Sequence, residues 1–403
     1  MKIKTLTLTL AVSLVLLGAC ISPPPASPVS QETPTPSALP IPPETPALAT
    51  SPIPQEIPST PISTPVPTAT PTPPPVPQVT PYPATPTPVQ TTTSTPTPTP
   101  TGPYTGPLFD THFHLLLSTL SSRFRSAKEL FSYLDGGKVD WALGFYQLPP
   151  SRWYPEVTSA EQIISAAGKR VIPLIMPAMA TWQQFASGQY GETVLRQFLQ
   201  PKGHIWGVGE IWLPDPFLQS VTFDSSVMQT TFQVVNELKG ILMIHTSTVS
   251  QGGRSTELAE IEPSIRKYPD TIFLFHCNNF DLIAQLMSRY PNVYFSMDAA
   301  STWIDIDSDY TAESFLAYVN RTGFDRLVQQ GINRVSPRLQ QYPDRIFWGT
   351  DIGVPWRDFE DSVTDIVIRT SREIIGRLPP DLQEKYAYKN ALNVFGRFLT
   401  PKP

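Results

Sequence analysis

From Leu108 onward the chain alternates short apolar runs with longer amphipathic stretches. The runs are Leu108–His114, Val139–Phe145, Val171–Met176, Ile205–Ile211, Ile241–His245, Thr271–His276, Val293–Ser296 and Ile346–Asp351. They are rich in β-branched and aromatic residues, as expected of strands buried on both faces. The stretches between them place apolar residues at helical spacing: Ser126–Leu134, Ser159–Ala167, Glu192–Gln200, Ser226–Lys239, Thr256–Lys267, Asp281–Arg289, Ala312–Gln330 and, after the last strand, Asp358–Arg377. Strand–helix alternation repeated eight times is the arithmetic of an α/β chain folded as a (β/α)8 barrel. An open doubly wound sheet is the alternative. That fold more often puts a Gly-rich turn after its first strand, where this chain has Asp110-Thr111-His112.

Upstream of Tyr104 the periodicity vanishes. Of 48 prolines in 403 residues, 29 fall between Ile21 and Pro103, a stretch with no Lys or Arg and only three acids, Glu32, Glu44 and Glu56. Such a composition cannot bury enough apolar surface to offset its ordering entropy. The expectation for residues 20–103 is a disordered, Pro/Thr/Ser-rich stalk of polyproline character. At about 3.1 Å per residue its fully extended limit is roughly 250 Å, which suits a spacer. Residues 104–403 then form the single folded domain. The net charge of −5 is small and the basic residues are scattered, so no nucleic-acid partner is expected.

The first 19 residues read as an export signal. Lys2 and Lys4 precede a mostly apolar run, Leu6–Leu17, which is too short for a permanent membrane span and has no basic stop-transfer cluster after it. The run closes on Leu17-Gly18-Ala19-Cys20, which resembles a bacterial lipobox. That resemblance implies acylation of Cys20 and a place in the bacterial cell envelope, lipid-anchored on the extracytoplasmic side of the membrane. The other cysteine, Cys277, is expected to be a buried, apolar-like thiol.

The chemistry lies at the ends of the strands. Four of the five histidines, His112, His114, His245 and His276, stand at or near the carboxyl end of a proposed strand, the face on which barrel enzymes build their sites. The fifth, His204, precedes strand four and reads as structural. His112 and His114 are at i and i+2, so both imidazoles point to one side of a strand. Glu210 sits inside an apolar run, where a lone carboxylate is costly unless paired or metal-bound. Asp351 ends the eighth strand. Four imidazoles and two carboxylates make a donor set for Zn2+ or a similar divalent ion, one or two per barrel.

These motifs carry a wider resemblance. Phe109-Asp110-Thr111-His112-Phe113-His114, Val208-Gly209-Glu210-Ile211, the histidines of strands five and six, and Trp348-Gly349-Thr350-Asp351 are similar to the amidohydrolase superfamily of metal-dependent TIM-barrel hydrolases. Within it the chain resembles the amidohydrolase-related, TatD-like branch, whose terminal helix Tyr388–Gly396 also resembles. The resemblance implies that His112, His114 and Asp351 ligate a first metal and that Glu210 bridges to a second. His245 would bind a metal, and His276 would bind the second metal or act on the substrate. Asp351 would take the proton from a metal-activated water. No lysine stands at the Glu210 position, so the carboxylated-lysine version of the site is excluded. The loop after strand four, Trp212-Leu213-Pro214-Asp215-Pro216, departs from the Gly-Leu-Asp of TatD-like nucleases and leaves the substrate open. Trp212, Asn278, Asn279, Asp298, Trp303 and Trp356 are candidate substrate-lining residues.

Three functions follow as expectations. The first is a metal-dependent hydrolase acting on a C–N or C–O bond of an amide or ester type in a small molecule, with two ions bridged by Glu210. The second is a one-metal decarboxylase or hydratase on the same barrel. The third is a surface-displayed binding lipoprotein without turnover.

Overall fold

The computed structural model describes residues 102–115, 127–148, 168–177, 196, 206–213, 221–246, 256–276, 279–298, 312–352 and 361–399. The proposed signal, Cys20, the stalk, His204, Cys277, Asn278, Trp303 and Trp356 lie outside the described residues, as do the expected helices Ser159–Ala167 and, but for Arg196, Glu192–Gln200.

Eight strands form one parallel sheet in sequence order: β1 Phe109–Leu115, β2 Trp141–Leu148, β3 Val171–Pro177, β4 Gly207–Leu213, β5 Ile241–Thr246, β6 Ile272–His276, β7 Val293–Asp298 and β8 Ile346–Gly349. The chain after β8 returns to β1. The Asp351 N–H donates to the His112 carbonyl at 2.8 Å and the His114 N–H to the Ile352 carbonyl at 2.7 Å, with a parallel bridge between Phe113 and Ile352. The sheet thus curls into a nearly closed (β/α)8 barrel, the architecture expected from the alternation of runs.

The helices between strands are α1 Ala127–Gly136, α2 Ser226–Glu237, α3 Leu258–Lys267, α4 Phe280–Arg289, α5 Ala312–Thr322, α6 Phe324–Gln341 and α7 Asp361–Gly376. One expectation is corrected. The stretch Ala312–Gln330 is two helices, not one, and the second runs on to Gln341. The break is Gly323, at φ +81°, a conformation that interrupts a right-handed helix and costs glycine little.

Strand side chains alternate between two cores. Leu242, Ile244, Phe273 and Phe275 face the helices, whereas Ile241, Met243, Ile272 and Leu274 fill the barrel. The barrel's lower end, at the strand amino termini, is stoppered by the C-terminal segment, α8 Pro380–Glu384, a π-helical turn Lys385–Lys389 and α9 Asn390–Phe395. Phe395 packs against Phe109 and Phe347, and Phe398 against Trp206. The same end receives the start of the domain. The Arg372 guanidinium on α7 donates to the carbonyls of Tyr104, Gly106 and Lys138 at 2.9–3.0 Å.

Candidate metal centre

The alternation that fills the barrel also builds the site. On β5 the inward series is Ile241, Met243, His245; on β6 it is Ile272, Leu274, His276; on β7 it ends at Ser296 and Asp298. The third inward layer is therefore polar where the first two are apolar. His112, His114, Glu210, His245, His276, Asp298 and Asp351 all converge there, none more than 7% exposed.

The donor atoms fall into two groups. In the first, the Nε2 atoms of His112 and His114 are 3.0 Å apart. Asp351 Oδ1 lies 3.3 Å from the first and 3.2 Å from the second. Glu210 Oε2 lies 3.6 Å and 3.4 Å from the same two nitrogens. These are the separations of ligands around a small cation rather than of hydrogen-bond partners throughout. Two ligands each about 2.0 Å from one ion, the Zn–N and Zn–O distance, stand roughly 3.3 Å apart at a tetrahedral angle, and these five separations lie around that value. The residues present therefore fit a divalent ion.

The second group is tighter. Glu210 Oε1 is 2.7 Å from His245 Nδ1 and 2.6 Å from His276 Nε2, and the Trp212 indole N–H donates to it at 3.0 Å. These are hydrogen-bond lengths. Glu210 has one oxygen in each group, the placement a bridging carboxylate needs, and both His112–His114–Glu210 and Glu210–His245–His276 bring their donor atoms close enough to hold a cation.

Backbone geometry aims the first group. Asp351 adopts φ +55°, a left-handed conformation that Asp tolerates better than most residues with a side chain. Behind it, Asp110 Oδ1 accepts the N–H of His112 at 3.0 Å and of Thr350 at 2.9 Å. Its Oδ2 accepts the hydroxyls of Tyr133 at 2.8 Å and Thr350 at 2.5 Å. Asp110 thus fastens β1 to the segment after β8. Burial dominates its ionisation and pushes it up to about 6 against those hydrogen bonds.

The electrostatics are those of an anionic cluster. Burial disfavours a charged His112, but Asp298 and Asp351 outweigh it and hold the ring well above its ordinary value. Burial likewise opposes charge on His276, yet Glu210 and Asp298 push it up to about 10. Glu210 is held well below the usual carboxylate range, burial notwithstanding, by His276, His112 and His245. Asp298 falls to about 2, where burial is outweighed by His112 and His276. Protons on the rings offset the carboxylates where no cation is bound, so cation binding releases protons.

Of the expected lining residues, Trp212 stacks on His245 with ring centroids 4.5 Å apart and is 9% exposed. Asn279 stands half-buried at the start of α4, without capping it through its side chain. Asp298 is corrected: it is fully buried behind the imidazoles, so it is not placed to line a substrate. The sequence reading ended strand seven at Ser296 and so left Asp298 in a loop. The strand runs to Asp298, which then caps an apolar strand as Glu210 and His276 do. The roles of Asp110, Tyr133 and Thr350 were also missed, although Asp110 lies two residues before His112 in the quoted motif.

Residues 205–397 match the amidohydrolase family model, a span that includes Glu210, His245, His276, Asp298 and Asp351. No curated protein matches the chain. Among solved structures, the chain is similar to a probable 2-pyrone-4,6-dicarboxylic acid hydrolase from Acinetobacter baumannii, at 16% identity over 72% of this chain and 99% of that one, TM-score 0.41. It is similar to dihydroorotase from Campylobacter jejuni, at 13% identity over 72% and 83%, TM-score 0.41. It is also similar to 2,6-dihydroxybenzoate decarboxylase from Rhizobium, at 12% identity over 72% and 98%, TM-score 0.35.

Proposed function

We propose that the chain is a metal-dependent hydrolase that cleaves an amide- or ester-type C–N or C–O bond of a small molecule. The observation that carries the reading is the convergence of His112 Nε2, His114 Nε2, Glu210 Oε2 and Asp351 Oδ1, with both carboxylate oxygens 3.2–3.6 Å from the two imidazole nitrogens, and the family match over residues 205–397 supports it. A divalent ion such as Zn2+ held there supplies Lewis acidity and acidifies water at neutral pH. Asp351 is the proton acceptor: its carboxylate sits at the rim of the donor set, carried by a backbone bonded to His112. His276 holds a proton between Glu210 and Asp298 and delivers it to a leaving group. Trp212 orients Glu210 through its indole N–H. The test is turnover of a panel of amides, lactones and esters by the metal-loaded full chain. Hydrolysis lost in Asp351→Asn supports the reading, and inactivity across the panel of a protein that holds its metal contradicts it.

A second reading, a one-metal decarboxylase or hydratase, draws on the hydrogen-bond lengths from Glu210 Oε1 to His245 and His276, with a cation held by His112, His114 and Asp351. Release of CO2 from aromatic or enoic carboxylates, with no hydrolysis, selects it.

For location we propose that the protein is exported and anchored at the bacterial membrane by acylated Cys20, the cysteine of Leu17-Gly18-Ala19-Cys20. Among the described residues no helix is long and apolar enough to cross a membrane. Cys20→Ala is expected to move the protein out of the membrane fraction or to leave it unprocessed; unchanged retention of a matured chain contradicts the anchor.

A further inference from the structure

The proposed chemistry gives the carboxylate of Asp298 no role beyond facing His276. It ends β7, has no exposed surface and stands on the side of the imidazoles away from the donor set. Its Oδ2 is 3.0 Å from His276 Nδ1 and also 3.0 Å from His112 Nδ1. The His276 contact is an aligned hydrogen bond. The His112 contact is a close ion-pair approach off the hydrogen-bond direction, and among the described residues that nitrogen has no aligned partner.

Asp298 is itself braced. Its Oδ1 accepts the Ser296 hydroxyl at 2.7 Å. The Ser296 oxygen lies 2.8 Å from the Thr111 hydroxyl, which reaches the Trp348 carbonyl at 2.9 Å. At Gly349 an added Cβ would come within 2.7 Å of both Asp298 Oδ1 and Ser296 Oγ. Three strands, β1, β7 and β8, therefore fix one carboxylate behind two rings that belong to different donor groups.

We infer that Asp298 is a shared positioning residue: a single carboxylate oxygen holds the proton on Nδ1 of both His112 and His276 and so turns both Nε2 atoms toward the centre of the site. This rests on the metal-centre reading above. Its physical content is tautomer control. An imidazole whose Nδ1–H faces a carboxylate offers its Nε2 lone pair inward, and such partners commonly change metal affinity about 10–100-fold when removed. What is particular here is that one residue sets His112, in the first donor group, and His276, against Glu210.

The experiment uses the full chain labelled with 15N-histidine, with Zn2+ as the ligand. Zinc affinity is measured by competition with a chromophoric chelator, and the imidazole N–H resonances are followed by NMR. Wild type that fails to bind zinc overturns the metal-centre reading itself, and with it the premise for Asp298. Given binding by wild type, Asp298→Asn keeps the shape and removes the charge. It is expected to weaken zinc about 10–100-fold and to shift two downfield N–H resonances together. Ser296→Ala, which leaves the carboxylate but removes its brace, is expected to shift the same two resonances by less and serves if Asp298→Asn does not fold. A general loss of packing would not single out two imidazole signals. Zinc affinity unchanged in Asp298→Asn, or movement of one resonance alone in either variant, overturns the inference.

Discussion

Two ends of one barrel interior are made by the same strands and are chemically opposite. At the strand amino termini the inward residues are Phe109, Ile241, Ile272 and Phe347, sealed by Phe395. About 13 Å further along a strand, four residues at 3.3 Å each, the same alternation delivers His245 and His276. The lower end is held by area and close packing, which are indifferent to pH and ions. The upper end gathers carboxylates and imidazoles whose mutual repulsion and desolvation are relieved only by protons or a cation. The contrast separates what makes the barrel stable from what makes it useful, and it suggests variants that should affect one end and spare the other.

The largest effect is expected at the stopper. Phe395→Ala removes a fully buried ring packed on Phe109 and Phe347 and should lower the unfolding free energy by about 3–5 kcal/mol, measured by denaturant titration. Metal content per folded chain should be unchanged; its loss would show that the ends are coupled.

At the upper end, His114→Ala should weaken zinc by roughly two to three orders of magnitude, since a four-ligand site worth about 10–16 kcal/mol shares that over its donors. Chelator competition measures it, and the midpoint of unfolding of the metal-free protein should hardly move. Gly349→Ala is smaller and mixed. The new methyl meets Asp298 and Ser296 at 2.7 Å, so about 1–3 kcal/mol of stability should be lost to overpacking, together with some zinc affinity.

The smallest effect is on pH dependence. His276 is raised from 6.5 to about 10 in the folded metal-free chain, so its contribution to stability is fully present below pH 6.5 and is lost as pH rises toward 10. The Tm of the metal-free protein should therefore fall across that window, and that of the zinc-loaded protein should fall less. Equal slopes would mean that protons and metal do not share the site.

Much of this was legible in the sequence because buried parallel strands are continuous apolar runs, and their polar ends stand out. All eight strands were found within a few residues, and His112, His114, Glu210, His245 and His276 do come together, with Asp351 beside His112 and His114. What escaped depended on single positions. Gly323 lies in a stretch whose amphipathic spacing continues unbroken, so only its left-handed φ reveals the corner. Asp298 was displaced to a wall by a two-residue error at the end of β7. The Asp110–Thr350–Tyr133 fastening joins residues up to 240 positions apart, and no local pattern encodes it.

The central claim is that His112, His114, Glu210 and Asp351 form a divalent-cation site. Its most direct test is zinc titration of the chelator-stripped full chain, with elemental analysis of the product. The account predicts one tightly held ion per chain, abolished in the double variant His112→Ala/Asp351→Ala while the barrel still unfolds cooperatively. Absence of saturable binding in the wild type, or tight binding that survives in the double variant, would contradict it.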